Sequence, residues 1–347
     1  MAIRQRTLKI LLLSFIIIIA LTSIPTYAQS PLRVTVTTDK PSYKYREIVN
    51  VGGNLTLSGA PVDGFVGIEV GSLNASFTNY TRLVTRTATI GNPYIGAMNI
   101  TIESVITCGG PPYYVPKTTF KKGETLYANI SVVNNYFNDR MVTITVLACD
   151  SDSTPITSHV APLQTKLLGG GGGAIFYPQF IIDTWVSTGP AKIYANVYSD
   201  WPSEGGHPWC HEKSASFTII PATGAASYET YQQTPSSNNP TAESVNTYDL
   251  SFRLPPYAPF GNYSVNATAF AQGWEASNYT TFGRAKQVRG DINFDRAINV
   301  LDVVLVTATY GSKSGDPNWN PESDVQPSGK IDILDVVVVT AKYGLKY

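Results

Sequence analysis

Residues 185–201 read WVSTGPAKIYANVYSDW, and residues 257–274 read YAPFGNYSVNATAFAQGW. Aligned on Gly189 and Gly261, they match Ile193 with Val265, Ala195 with Ala267 and Tyr198 with Phe270. Successive side chains of an extended chain point to opposite sides, so Ile193, Ala195 and Val197 fall on one face and Tyr194, Asn196 and Tyr198 on the other. Each stretch predicts a turn followed by a late strand of a β unit, present twice. A second repeat pairs KPSYKYREIV from Lys40 with KTTFKKGETL from Lys117, aligning Tyr43 with Phe120 and Glu47 with Glu124 just ahead of a strand.

Working outward, the chain from Pro31 to about Arg284 consists of short alternating runs rich in Val, Ile, Thr and Tyr, separated by Gly, Pro, Asn and Asp. That pattern predicts a mainly β body without a long amphipathic helix. The modules resemble immunoglobulin-like β-sandwiches in tandem. The expected boundaries are 31–102 for the first, 103–221 for the second and 222–287 for a partial module or linker, too short for a sandwich of about 100 residues. Its opening stretch, TGAASYETYQQTPSSNNPTAESVN, is polar, and the piece could instead complete the short first module.

Charge and termini bound the function. Lysine plus arginine, 25, equals aspartate plus glutamate, 25, so no net field would draw the chain to nucleic acid. Arg4, Arg6 and Lys9 precede ILLLSFIIIIAL, and TYA ends at Ala28, the form of a secretory signal spanning residues 1–28. The rival is an uncleaved anchor, but the apolar run is shorter than the roughly 20 residues that span a bilayer. After signal cleavage no transmembrane span is expected, and the location is secreted or cell-surface. N-x-[ST] triplets at Asn54, Asn74, Asn79, Asn99, Asn129, Asn262, Asn266 and Asn278 are glycosylation candidates. Of three cysteines, Cys108 and Cys210 bracket the second module and are the expected disulfide, leaving Cys149 as a thiol.

Catalytic signals are few. The body shows no nucleophile elbow, HExxH helix or paired carboxylates in a catalytic setting, and only His159, His207 and His211 are available for proton transfer. No enzyme is assigned. GGHPWCHEK offers His207, Cys210, His211 and Glu212, but lacks a second ligand set at zinc-like spacing. The glycine run in KLLGGGGGAIF lacks the Lys-Ser/Thr of a phosphate cradle. Trp185, Trp201, Trp209 and Trp274 could stack on sugar, although core and turn packing is the commoner use.

The carboxylates concentrate at the end of the chain. In DINFDRAINVLD, oxygen-bearing side chains fall at positions one, three, five, nine and twelve: Asp291, Asn293, Asp295, Asn299 and Asp302, with the Ala297 carbonyl at seven. A loop wrapped around calcium needs oxygens at this cadence, because the hard cation takes six to eight of them. DVQPSGKIDILD repeats it with Asp324, Gln326, Ser328, the Lys330 carbonyl, Asp332 and Asp335, and with fewer carboxylates predicts a weaker second site. Ten of fourteen residues are identical between 298–311 and 331–344.

Duplicated loops with Asp at the twelfth position, each running into one helix, resemble a dockerin module, and GDPNWNP from Gly315 to Pro321 resembles the spacer of archaeal examples. The resemblance covers 288–347. It implies an EF-hand-like, calcium-dependent helical module that binds a cohesin domain, and it overrules the strand propensity of DVVLVTATYG and DVVVVTAKYG. Leu301, Val304, Leu334 and Val337 are the expected packing residues, while Val300 and Ile333 could face a partner. The sequence thus predicts an exported modular surface protein docked through calcium to a cohesin-type partner. Its alternatives are a subunit of a polysaccharide-degrading complex and a carbohydrate-binding adhesion protein.

Overall fold

The first set of strands comprises β1 (Leu32–Val34), β2 (Thr37–Thr38), β3 (Ser42–Tyr43), β4 (Ile48–Leu57), β5 (Ala60–Pro61), β6 (Gly64–Ser72) and β7 (Thr81–Ile90). The second comprises β8 (Ile100–Cys108), β9 (Thr119–Lys121), β10 (Thr125–Asn134), β11 (Arg140–Cys149), β12 (Ala161–Leu168), β13 (Gly173–Phe176), β14 (Gln179–Ile181), β15 (Gly189–Tyr198) and β16 (Lys213–Ile220). Then follow β17 (Thr247–Arg253), β18 (Gly261–Ala271), β19 (Trp274–Arg284) and the helices α1 (Val300–Ala308) and α2 (Ile333–Ala341). The protein is mainly β. This computed structural model describes residues 30–346 except 45–46, 73–80, 94–99, 157–160, 184–185, 223–245, 256–257, 259–260, 285–287, 294–296, 314–315, 317, 321 and 327. The expected signal at 1–28 lies outside the described residues, among which no helix is long and apolar enough to cross a membrane.

Sheet pairing revises the expected order of modules. β17 pairs antiparallel with β4, and β18 pairs antiparallel with β6, so 247–284 returns to the first module instead of forming one of its own. One sheet runs β1-β4-β17 with β2 and β5 alongside β4, and the other runs β3-β19-β18-β6-β7. Both contribute to a single core that includes Val51, Leu55, Val66, Val265 and Phe282. Residues 100–220 form a second core between β13-β10-β14, with β8 on β10, and β9-β16-β15-β11-β12. The second module, 100–220, is therefore inserted within the sequence of the first, and the boundary expected at 102 falls inside β8.

The five-stranded sheets match position by position. β3 lies parallel to β19 as β9 lies parallel to β16, and β18 occupies the place of β15. Gly189 and Gly261, aligned in sequence, share the positive φ of 121° and 124°, a backbone that side chains resist. The turn ahead of β4 is built like the turn ahead of β10. Glu47 accepts from the Lys44 N–H and pairs with Lys40, and Glu124 accepts from the Lys121 N–H and pairs with Lys117. Tyr43 and Phe120 are both buried beside these turns.

The face of β15 that alternation leaves outside its own core is also covered. Tyr194, Asn196 and Tyr198 pack on β7: Asn196 Nδ2 donates to the Thr85 carbonyl (3.3 Å), and the Tyr198 hydroxyl donates to the Arg86 carbonyl (2.7 Å). Arg86 stacks on Tyr194 at 3.6 Å and grips Glu212 in a fork, Nε to Oε2 at 2.8 Å and Nη2 to Oε1 at 2.8 Å. The Thr87 N–H also donates to Glu212 Oε2 (3.2 Å). β6 is buried along its whole length, which explains its unbroken run GFVGIEVGS with a single charge, Glu69.

The cysteines correct the expected disulfide: Cys108, Cys149 and Cys210 are free, buried thiols. Cys210 lies beside the Ile102 backbone, six residues along β8 from Cys108, a separation of roughly 20 Å at about 3.3 Å per residue. A disulfide tolerates no more than about 7 Å between Cα atoms. Burial pushes the Cys149 and Cys210 thiols up to about 12.

Candidate metal centre

Each acidic loop is fastened to its helix by the same pair of contacts. Asn299 Oδ1 accepts from the Leu301 N–H (2.8 Å) while Asp302 Oδ2 accepts from the Asn299 N–H (2.8 Å). In the second copy Asp332 Oδ1 accepts from Leu334 N–H (2.9 Å) and Asp335 Oδ2 from Asp332 N–H (2.8 Å). This reciprocal cap satisfies donors that a helix start leaves open. It explains how VLDVVLVTA and ILDVVVVTA, rich in β-branched residues, form helices α1 and α2.

The other carboxylate oxygen reaches back to the start of the loop. Asp302 Oδ1 accepts from Ile292 N–H (2.6 Å) and Asn293 N–H (3.2 Å), and Asp335 Oδ1 accepts from Gln326 N–H (2.8 Å). Position twelve is thereby tied to positions two and three in the first copy and to position three in the second. Asp302 and Asp335 are fully buried, and Asp291 is 1% exposed. Asp324 takes the Ser328 N–H on Oδ1 (3.0 Å) and the Gly329 N–H on Oδ2 (2.9 Å), so the second loop wraps around its first carboxylate. Burial raises the pKa of Asp324, two N–H donors oppose this, and the neighbouring Asp335 charge adds to it.

The loops are tied crosswise. The Ile298 N–H donates to the Leu345 carbonyl (2.8 Å), bringing the first loop to the C-terminal tail, and the Ile331 N–H donates to the Ser312 carbonyl (2.9 Å), bringing the second to the segment after α1. The core consists of three equivalent pairs: Ile292 with Val325, Ile298 with Ile331, and Val306 with Val339. This corrects the expected packing residues. Leu301, Val304, Leu334 and Val337 are 51–54% exposed, beside Val300 and Ile333 at 56–57%. Apolar side chains fall on more than one face of each helix, so their periodicity does not mark the buried one; loop positions two and eight supply four of the six core residues, and Val306 and Val339 are the helices' share.

The donor set fits a hard cation: buried carboxylates with amide, hydroxyl and carbonyl oxygens close by. Among the described residues no ion pair reaches Asp302 or Asp335, and no group of three or more His, Cys, Asp or Glu could hold a metal. Two features bear on that count. Asp295 lies outside the described residues, and the second loop carries Gln326 and Ser328 where the first has Asn293 and Asp295. Ala297 and Lys330 sit in backbone bridges with Lys346 and Lys313, and Ser328 Oγ donates to the Lys330 carbonyl (2.8 Å).

Other sequence candidates disperse. Glu212 is held by Arg86, His211 packs edge-on to Phe65, and His207 stacks on Phe270, so GGHPWCHEK assembles no ligand cluster. Trp201 lies under Arg82 and Trp209 packs on the second core, leaving Trp274 at 45% exposure, with Trp185 outside the described residues. A cleft of about 340 Å³ beside Phe65 and Phe270 carries one carboxylate, Asp63, which accepts from the Asn92 N–H (3.0 Å). Among the glycosylation candidates, Asn54 accepts from Thr35, Asn266 donates to Ser264 and Asn278 donates to the Val34 carbonyl. Asn262 is exposed, Asn129 half-buried, and Asn74, Asn79 and Asn99 lie outside the described residues.

No family model matches the chain, and no curated protein matches it. Solved structures match in part. An alkylpurine DNA glycosylase, AlkC, from Pseudomonas fluorescens is 12% identical over 35% of this chain and 30% of its own, with a TM-score of 0.25. The C-terminal domain of wzt is 13% identical over 38% and 84%, at 0.29. A β-glucosidase from Listeria innocua is 9% identical over 35% and 15%, at 0.24. The chain thus spans less than a third of the glycosylase and of the glucosidase, and such scores carry no argument about fold or activity.

Proposed function

We propose that this is an exported, modular surface protein of archaeal type whose C-terminal module is a calcium-dependent dockerin for a cohesin-type domain. The two β modules serve as an immunoglobulin-like spacer or binding body. The observation that carries the reading is the duplicated apolar face: Val300, Leu301 and Val304 on α1, and Ile333, Leu334 and Val337 on α2, all about half exposed. Clustered exposed apolar side chains mark interaction surfaces. These stand on helices whose first turns are fastened to acidic loops, which makes the face dependent on the loops.

Asp291, Asn293, Asp295, Asp302 and the Ala297 carbonyl would hold calcium in the first loop, and Asp324, Gln326, Ser328, Asp335 and the Lys330 carbonyl in the second. Asn299 and Asp332 cap the helices through one oxygen each. Calcium, when bound, offsets carboxylate charge that water does not reach. The chain's own residues do the rest: Asp302 and Asp335 bind loop to helix, and the helices present the apolar face.

The test is capture of envelope proteins on the immobilised full chain, with calcium and with chelator. A cohesin-type domain is expected to bind in calcium and to be released by chelator. The double variant Val304→Asp/Val337→Asp is expected to lose capture by 100-fold or more while still binding calcium, because charge is placed in a desolvated contact. Capture that survives both chelator and the double variant would defeat the docking reading.

A further inference from the structure

On the outer face of the β8–β10–β13/β14 sheet stands Asn129, in the triplet Asn129-Ile130-Ser131. β10 alternates half-buried and buried residues along its length, so Tyr127, Asn129 and Ser131 share the outer face. The register sets Asn129 opposite Ile106 on β8. On its other side Tyr127 pairs with Gln179 and Ile130 with Phe176, which brings Tyr177 level with Asn129. Ile106 and Tyr177 are 41% and 42% exposed, so Asn129 rises between two open apolar side chains.

The ground around it is aromatic. Tyr114 stacks on Tyr177 with ring centroids 4.3 Å apart and meets Tyr127 edge-on at 5.8 Å. The loop carrying Tyr114 lies against Tyr127 closely enough that a Cβ on Gly110 would come within 2.9 Å of the ring. Ser131 Oγ donates to Glu103 across the strands (3.0 Å). Asn129 differs from Asn54, Asn266 and Asn278 in that its amide makes no hydrogen bond among the described residues.

We infer that Asn129 is a site of N-linked glycosylation whose attached sugar lies on Tyr127, Tyr177 and Ile106 and covers this sheet face. An Asn-x-Ser triplet supplies the acceptor. The apolar C–H face of a pyranose suits an aromatic ring two residues earlier on the same face of the strand, where contact and water exclusion act together. In the transfer, the Asn129 side-chain nitrogen forms a bond to the anomeric carbon of a lipid-linked oligosaccharide. The lipid pyrophosphate leaves with the bonding electron pair, and the amide proton passes to a base of the transferase. The inference rests on the export reading, not on the docking one.

The test is peptide mass analysis of the full chain exported by a host that N-glycosylates, covering residues 1–28 and the tryptic peptide 123–140. The peptide is expected to carry an oligosaccharide increment, lost in both N129Q and S131A. The unfolding temperature should drop when the glycan is absent, and this drop should shrink in Y127A. A chain cut after Ala28 whose 123–140 peptide is bare overturns this inference alone. A chain retaining its first 28 residues with no sugar at any triplet overturns the export reading and this inference together. A glycan whose loss lowers the unfolding temperature equally with and without Tyr127 overturns the aromatic cradle.

Discussion

Replacing Asp302 with alanine is expected to unfold the C-terminal module while leaving the β body folded. The carboxylate is fully buried and accepts three backbone N–H groups, from Ile292, Asn293 and Asn299. Each donor left without a partner costs about 1–3 kcal/mol, so the variant loses about 3 kcal/mol or more. A module of about sixty residues holds little more than that in reserve. Asp335 accepts two N–H groups, from Gln326 and Asp332, and Asp335→Ala should cost less. Limited proteolysis checks the order: Asp302→Ala should be trimmed back to the β body faster than Asp335→Ala, and both faster than the parent chain. Equal resistance in all three would mean that the buried carboxylates do not hold the loops.

The second large effect is expected where the β modules meet. Glu212→Ala leaves the Arg86 guanidinium, inside the interface and stacked on Tyr194, without its carboxylate, and leaves the Thr87 N–H without its acceptor. Burial works against the Arg86 charge, and Glu212 outweighs it. Removing one partner of a fully buried pair costs about 3–5 kcal/mol, and with side chains 21% and 12% exposed Arg86 and Glu212 fall at or below the low end of that range. Arg86→Ala should cost a similar amount from the other side. Replacing both together, Arg86→Met with Glu212→Leu, should recover most of the loss, since a well-packed apolar pair is often neutral against the ion pair it replaces. Denaturant midpoints of the three variants test this. Single variants within 1 kcal/mol of the parent would show that the interface does not depend on the fork.

Much of the β body could be read from sequence because its determinants are local. The match between 185–201 and 257–274 placed β15 and β18 in equivalent roles, and the Lys-aromatic-Glu turns came with it. What the sequence left open was which sheet 247–284 joins. β17 pairs with β4 across about two hundred residues, and strand alternation fixes faces, not partners. Alternation likewise labelled Tyr194, Asn196 and Tyr198 an outer face. Two tyrosines there were a hint that the face is covered.

At the C-terminus the reverse holds. What the repeat did carry is the helix start: Asp302 and Asp335, three residues after Asn299 and Asp332, each accept the N–H of that residue in the reciprocal cap. The helix faces could not be read, since Val, Leu and Ile occupy six of the nine positions of each of α1 and α2 and fall on more than one face. The cysteine pairing was equally illegible: chain order around the second module says nothing of the six residues of β8 that separate Cys108 from the neighbour of Cys210.

Calorimetric titration of calcium into the full chain tests the central claim most directly. Two equivalents are expected, the tighter lost in Asp302→Asn and the weaker in Asp335→Asn, because each removes the buried carboxylate that closes one loop. A chain that takes up no calcium at millimolar concentration, or whose uptake is unchanged in both variants, would contradict it.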